Sequence, residues 1–158
     1  MSVELRPMRE SDLSLAIDLG ATIHARSNYA NLLYDKSYLM GFGRRALNDT
    51  NCVCLVAESK GALVGFFVGC VQPLYFSGEL RATDLIFFVK DGKAGMRGAS
   101  NMIEVYETWA KGKGAVVVDL SITTGINAYR TGKFYEHLKY RPLGQTYRKE
   151  VNDVWRRK

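Results

Sequence analysis

The stretch from Asp84 to Ala115 holds the residue types and spacing best suited to binding an anion. Asp84-Leu-Ile-Phe-Phe-Val-Lys90 reads as an apolar strand, and Asp91-Gly-Lys-Ala-Gly-Met-Arg-Gly98 as a glycine-rich turn. Ala99 to Lys111 then reads as an amphipathic helix, closed by Gly112 and Gly114. A glycine-rich turn feeding a helix leaves several backbone N–H groups unpaired and aimed one way. The helix dipole adds its own preference for negative charge, so the predicted ligand is a phosphate. The remaining chemistry-bearing residues are sparse. Cys52, Cys54 and Cys70 lie in apolar, strand-like runs, and neither His24 nor His137 is near them in sequence. An odd count in such settings fits reduced packing residues, not a disulfide frame or a zinc site, and no metal is expected.

The elements that must position this stretch follow from hydrophobic periodicity. Val3-Glu-Leu-Arg-Pro-Met8 alternates as a first strand, and Ser11 is placed to cap a helix that starts near Asp12. That helix is interrupted by the polar, aromatic segment Arg26-Ser-Asn-Tyr-Ala-Asn31, and a second helix covers Ser37 to Leu47. Cys52 to Glu58 and Ala62 to Val71 are strands joined by the turn Ser59-Lys-Gly61, and Pro73 to Gly78 connects to a strand from Arg81 to Lys90. After the helix, Ala115-Val-Val-Val-Asp-Leu-Ser-Ile122 has the β-branched, nearly continuous apolar character of a central strand buried on both faces. Asn127 opens a helix to Leu138, and Gln145 to Val151 is read as a last strand. The sum is a mixed-sheet α/β domain spanning residues 1–158.

The chain has 158 residues, 47% hydrophobic and 24% charged, an ordinary globular composition with enough length for one core. No apolar run approaches the roughly 20 residues of a membrane span, and Met1-Ser-Val-Glu-Leu-Arg lacks a signal pattern. A cytoplasmic protein is the expectation. The net charge of +6 suits a polyanionic cofactor or a nucleic acid equally. Part of it sits in the tail Trp155-Arg-Arg-Lys158, where a solvated chain end is the simpler reading.

Three features together resemble the GNAT superfamily of N-acetyltransferases, across nearly the whole chain from Leu5-Arg-Pro-Met to Tyr147-Arg-Lys. They are the strand, glycine turn and helix of residues 84–111, the segment Phe134-Tyr-Glu-His-Leu-Lys-Tyr140, and the element order with two helices between the first two strands. Trp109-Ala-Lys-Gly-Lys-Gly-Ala115 and Thr123-Thr-Gly-Ile-Asn127 are similar in style to short members found in bacteria and their phages. The resemblance implies a mostly antiparallel sheet of six to seven strands with about four helices and a splayed central strand pair. It also implies acetyl-CoA as cofactor and transfer of its acetyl group to a primary amine.

The resemblance further implies roles for residues. The pantetheine arm would pair with the main chain of Phe88, Val89 and Lys90. The pyrophosphate would sit on the amides of Gly95, Met96, Arg97, Gly98 and Ala99, with Lys93 or Arg97 adding charge. Two frames of the glycine motif stand, Lys93-x-x-Met96-x-Gly98 and Gly95-x-x-Gly98-x-Ser100. Asp84 matches the position of an acidic base, or else is a strand-end carboxylate facing solvent or paired to Arg81; Glu79 is the next candidate. Tyr135 matches a tyrosine that protonates the departing thiolate, or else is a core residue. Asn127 matches a residue that bonds the pantetheine arm, or else is only a helix cap. His24, Ser27 and Tyr29 fall in the segment that shapes the family's acceptor pocket.

The acceptor is an amine of a small molecule, a peptide, a protein lysine or an aminoacyl group, because fold does not fix that choice. A homodimer is compatible with the family. The alternative function is a nucleic-acid- or protein-binding module on the same scaffold, for which Tyr29, Tyr34, Tyr38 and the basic tail supply the aromatic and charged groups.

Overall fold

The computed structural model describes residues 2–151, and the basic tail from Trp155 lies outside them. Strands β1 (Glu4–Pro7), β2 (Cys52–Ser59), β3 (Ala62–Pro73), β4 (Leu80–Val89) and β5 (Ala115–Asp119) form one sheet in the order β1-β2-β3-β4-β5. The first three junctions are antiparallel and the β4–β5 junction is parallel. The helices are α1 (Leu13–His24), α2 (Lys36–Asn48), α3 (Lys93–Gly112) and α4 (Ala128–His137). Among the described residues, no helix is long and apolar enough to cross a membrane.

This is the expected mixed, mostly antiparallel α/β architecture, with five strands among the described residues in place of six to seven. The last strand read over 145–151 does not form. Its alternation sets Gln145, Tyr147, Lys149 and Val151 on one face and Thr146, Arg148 and Glu150 on the other. The second face is wholly polar, and the first interrupts Tyr147 and Val151 with Gln145 and Lys149, so neither offers a continuous apolar surface to bury. Without that strand, β5 is an edge strand and not the doubly buried one expected. Val116 and Val117 are accordingly 55% and 44% exposed.

The described chain forms two compact units: residues 2–20 with 36–121, and residues 21–35 with 122–151. In the first unit, Leu55, Ala57, Phe67, Val71 and Ala82 line one sheet face and meet Met102, Tyr106 and Ala110 of α3. The strands alternate with period two and the helix residues recur every four positions, so both surfaces present continuous apolar stripes. The Phe67 and Tyr106 rings lie 4.5 Å apart between centroids. Each large side chain buried here contributes roughly 1.5–3 kcal/mol of transfer free energy.

Two helix starts differ from expectation. Helix α3 begins at Lys93, not Ala99, because the chain reverses within a shorter turn at Gly92, whose φ of 110° suits glycine. Gly95 and Gly98 are therefore inside the first turns of the helix, where they permit close approach to the sheet. A Cβ on Gly95 would lie 1.7 Å from the Lys90 carbonyl oxygen, and one on Gly98 3.1 Å from Ala57 Cβ. At α1, a 3-10 turn (Glu10–Asp12) replaces the Ser11 cap. The Asp12 carboxylate accepts the Arg9 N–H at 2.7 Å and two Arg6 guanidinium bonds at 2.7 and 2.9 Å. Arg6 also donates to Glu58 at 2.5 Å, tying β1, β2 and the helix start together.

The second unit joins 21–35 to 122–151. The Asn28 N–H donates to Thr124 O at 2.8 Å, and the Asn28 side chain packs against Gly125. Arg148 lies 4.3 Å over the Tyr29 ring and donates to Asn28 O at 3.0 Å, while Asn31 donates to Glu150. The segment that follows α4 is thus held by side chains and not by a strand ladder.

Candidate active site

The parallel ladder between β4 and β5 ends at Thr83↔Asp119, but β4 continues to Val89. From Asp84 onward, β4 has β3 on one side and, among the described residues, no strand on the other. Which backbone groups face the open side follows from the β3 register. The Lys90 N–H donates to Val64 O at 2.7 Å, so Lys90, and with it Phe88 and Ile86, exchanges hydrogen bonds with β3. Alternation turns the N–H and C=O groups of Phe87 and Val89 to the open edge. Of the strand residues singled out in sequence, Val89 faces the gap, while Phe88 is buried beside Phe66 and directs its main chain to β3.

This open edge runs directly into the start of α3. The first helical bond is Met96 N–H to Gly92 O at 3.1 Å, so the amides of Lys93, Ala94 and Gly95 precede the intrahelical ladder. The amides of Met96, Arg97, Gly98 and Ala99 lie within that ladder. Lys93 and Arg97 are exposed on the first turns, and Gly95, Gly98 and Ala99 are buried against the sheet.

Asp84 stands where the two strands part. Its Oδ1 accepts the Ser121 N–H at 2.9 Å, just past the end of β5. Burial pushes the Asp84 carboxyl above the ordinary carboxylate range, and nearby Asp119 adds to the rise against the opposing hydrogen bond from Ser121. Arg81 pairs with Asp119 at 3.9 Å, so the predicted alternative of an Asp84–Arg81 pair is not observed. Glu79 sits exposed in the β3–β4 turn, its backbone bonded to Leu74 and Ser77. A carboxylate lifted by desolvation, with an acceptor oxygen still uncommitted by Ser121, can take a proton from an amine.

The other residues singled out in sequence belong to the second unit. Tyr135 is buried in α4, its ring 5.9 Å from Phe134 and 6.0 Å from Tyr140. Asn127 precedes α4 with φ 47°, and its side chain makes no capping bond, although its carbonyl accepts the Thr131 N–H at 2.9 Å. Ser27 Oγ donates to His24 O at 2.9 Å and accepts the Tyr29 N–H at 3.1 Å, an arrangement that shapes the turn. The His24 ring tilts on Tyr34 at 5.0 Å, and Tyr29 lies beneath Arg148.

No protein-family model and no curated protein sequence matches the chain. Solved structures do. A transcriptional regulator from Bacillus halodurans C-125 superposes with a TM-score of 0.76 at 19% identity, covering 95% of this chain and 100% of that one. AAC(6')-Iy, in complex with the bisubstrate analogue CoA-S-monomethyl-acetylneamine, gives 0.75 at 16% identity, covering 96% and 100%. An acetyltransferase from Trypanosoma brucei gives 0.69 at 22%, covering 95% and 100%. The chain shares the GNAT-like fold of these structures. At these identities the likeness is one of fold alone.

Several residues around this edge were not singled out by sequence reasoning. Phe87 shares the open edge with Val89, but this depends on strand register, which no local pattern encodes. Ala94 offers an unpaired amide because α3 starts early. Ser121 orients Asp84 through its backbone, leaving no side-chain signal. Tyr106 is buried in the core beneath the sheet, and only its hydroxyl sets it apart from Phe.

Proposed function

We propose that this protein is an acyl-CoA-dependent N-acyltransferase that passes an acetyl group from acetyl-CoA to a primary amine. The observation that carries the proposal is the open edge of β4 leading straight into the unpaired amides of α3. An extended arm bearing amides can add to such an edge through Phe87 and Val89, as in strand addition. A pyrophosphate suits the amides of Lys93, Ala94 and Gly95, with Lys93 and Arg97 supplying charge. These groups fit coenzyme A, and AAC(6')-Iy, which shares the fold, carries a CoA-bearing bisubstrate analogue.

Acetyl-CoA supplies a thioester carbonyl for an amine to attack. An alkylamine with a pKa of ~10.4 must first lose a proton. Asp84 receives it, directly or through one water, and its raised pKa brings it nearer the operating pH than an ordinary carboxylate. The Val89 N–H stabilises negative charge developing on the carbonyl oxygen. The GNAT resemblance assigns protonation of the leaving sulfur to Tyr135 and a bond to the pantetheine arm to Asn127, both residues of the second unit. A nucleic-acid-binding module draws less support, because Tyr29 and Tyr34 already contact Arg148 and His24.

Isothermal titration of acetyl-CoA into the pure protein tests the cofactor, and release of free thiol in the presence of an amine panel tests turnover. Saturable binding with amine-dependent thiol release is expected. Absence of both heat and thermal shift at millimolar acetyl-CoA overturns the proposal. Tyr135→Phe should lower turnover and leave cofactor affinity nearly unchanged.

A further inference from the structure

Tyr106 is fully buried in the first unit, and its hydroxyl is a buried polar atom without a hydrogen-bond partner among the described residues. A side chain needed only to fill this space would be Phe, since an unsatisfied hydroxyl carries a desolvation cost. The slot that admits the hydroxyl end of the ring is made by Gly69. A Cβ there would lie 2.6 Å from Tyr106 Cε2 and 3.0 Å from Cζ. Gly69 is also the register partner of Asp84, at the irregularity in the β3–β4 ladder next to Val68. Asp84 follows Ala82 by two residues and so shares the sheet face that Ala82 presents to Tyr106. Gly69 therefore makes room for the phenol end of Tyr106 directly across the ladder from Asp84.

We propose that Tyr106 Oη donates a hydrogen bond to the Asp84 carboxylate through one buried water, making Tyr106 the positioning residue of the base. The proposal rests on the reading of Asp84 as base. It gives Asp84 a donor on each side: the Ser121 N–H on Oδ1, and the relayed phenol on the remaining lone pairs. The other charged and titratable groups here are Cys70 on β3, Arg81 on β4 and Asp119 on β5. Arg81 is engaged with Asp119, and among the described residues no ion pair to Asp84 forms. Burial, Asp84, Cys70 and Asp119 all push the Tyr106 phenol upward, which keeps it protonated and a donor throughout the working range of pH.

Tyr106→Phe tests this, because the two accounts of the hydroxyl predict opposite signs. The Asp84 carboxyl is followed by 13C NMR titration in the protein without ligand, assigned with Asp84→Asn. Loss of a donor to the charged form should raise its pKa by about half a unit or more. The melting temperature of Tyr106→Phe should fall in the wild-type background and stay unchanged in the Asp84→Asn background. An unmoved Asp84 titration, together with a melting temperature that rises equally in both backgrounds, overturns the proposal. Neither readout needs acetyl-CoA, so a failure of the acyltransferase reading appears separately, as loss of turnover with the titration result intact.

Discussion

Asp12 and Asp84 are the same side chain in two environments, and they titrate in opposite directions. Asp12 faces the Arg6 guanidinium in a two-pronged pair and accepts the Arg9 N–H; these bonds hold its carboxyl below the ordinary range. Asp84 has one backbone donor, a neighbouring Asp119 and a desolvated position where β4 and β5 part; these hold it above that range. A paired carboxylate fixes a helix start to a sheet, and an unpaired one is kept ready for protons. The cation decides which. Arg6 stands beside Asp12, whereas Arg81, the nearest arginine in sequence to Asp84, is engaged by Asp119.

The comparison breaks most sharply by neutralising each carboxylate in turn. Asp84→Asn should lower acetyl transfer by ~10²–10⁴-fold, the usual worth of a general base, with acetyl-CoA affinity kept within about twofold. A drop in affinity matching the drop in rate would instead make Asp84 a structural support. Arg6→Ala comes next. It strands Asp12 and Glu58 without their cation and should destabilise by about 2–4 kcal/mol in denaturant melts; because the pair is partly exposed, the lower end is expected. A change within ~0.5 kcal/mol would reduce the cluster to a surface pair.

The pH dependence of stability sharpens the contrast through its sign. A carboxyl held low in the folded state adds stability above its unfolded pKa of ~3.9 and loses it as pH falls through the folded value. Asp12→Asn should therefore melt below wild type at neutral pH, with the gap closing in acid. A carboxyl held high has its full stability below ~3.9 and loses it as pH rises through the folded value. Asp84→Asn should therefore melt above wild type at neutral pH, with the difference vanishing in acid. The smallest effect concerns burial at the cysteines. The Cys52 and Cys54 thiols are pushed up to about 11, so an aromatic disulfide reagent at neutral pH should react far more slowly with folded than with unfolded protein.

Much of this was legible in residue pattern. The β2–β3 hairpin follows from Ser59-Lys-Gly61, where Lys60 and Gly61 adopt φ of 53° and 73°. Helix α4, expected over Asn127 to Leu138, forms over Ala128–His137. The start of α3 was not legible, because Gly95 and Gly98 have turn chemistry in sequence and a packing role in space. A glycine pressed against a strand carbonyl looks the same, along the chain, as one that turns it. The place of β5 was also hidden. Its apolar run reads as a strand buried on both faces, yet burial requires a partner that the polar 145–151 run does not supply. The candidate site shows the same limit: Asp84 stood out as a residue, while the choice of Phe87 and Val89 over Phe88 and Lys90 depends on which carbonyl of β3 receives Lys90.

Amide NMR of the labelled protein during acetyl-CoA titration tests the central claim most directly. The account predicts that Phe87 and Val89 amides shift and gain exchange protection at saturation, together with Lys93, Ala94 and Gly95. Phe88 and Lys90, already bonded to β3, should be protected with and without the cofactor. Saturating acetyl-CoA that leaves residues 87–95 unmoved would contradict it.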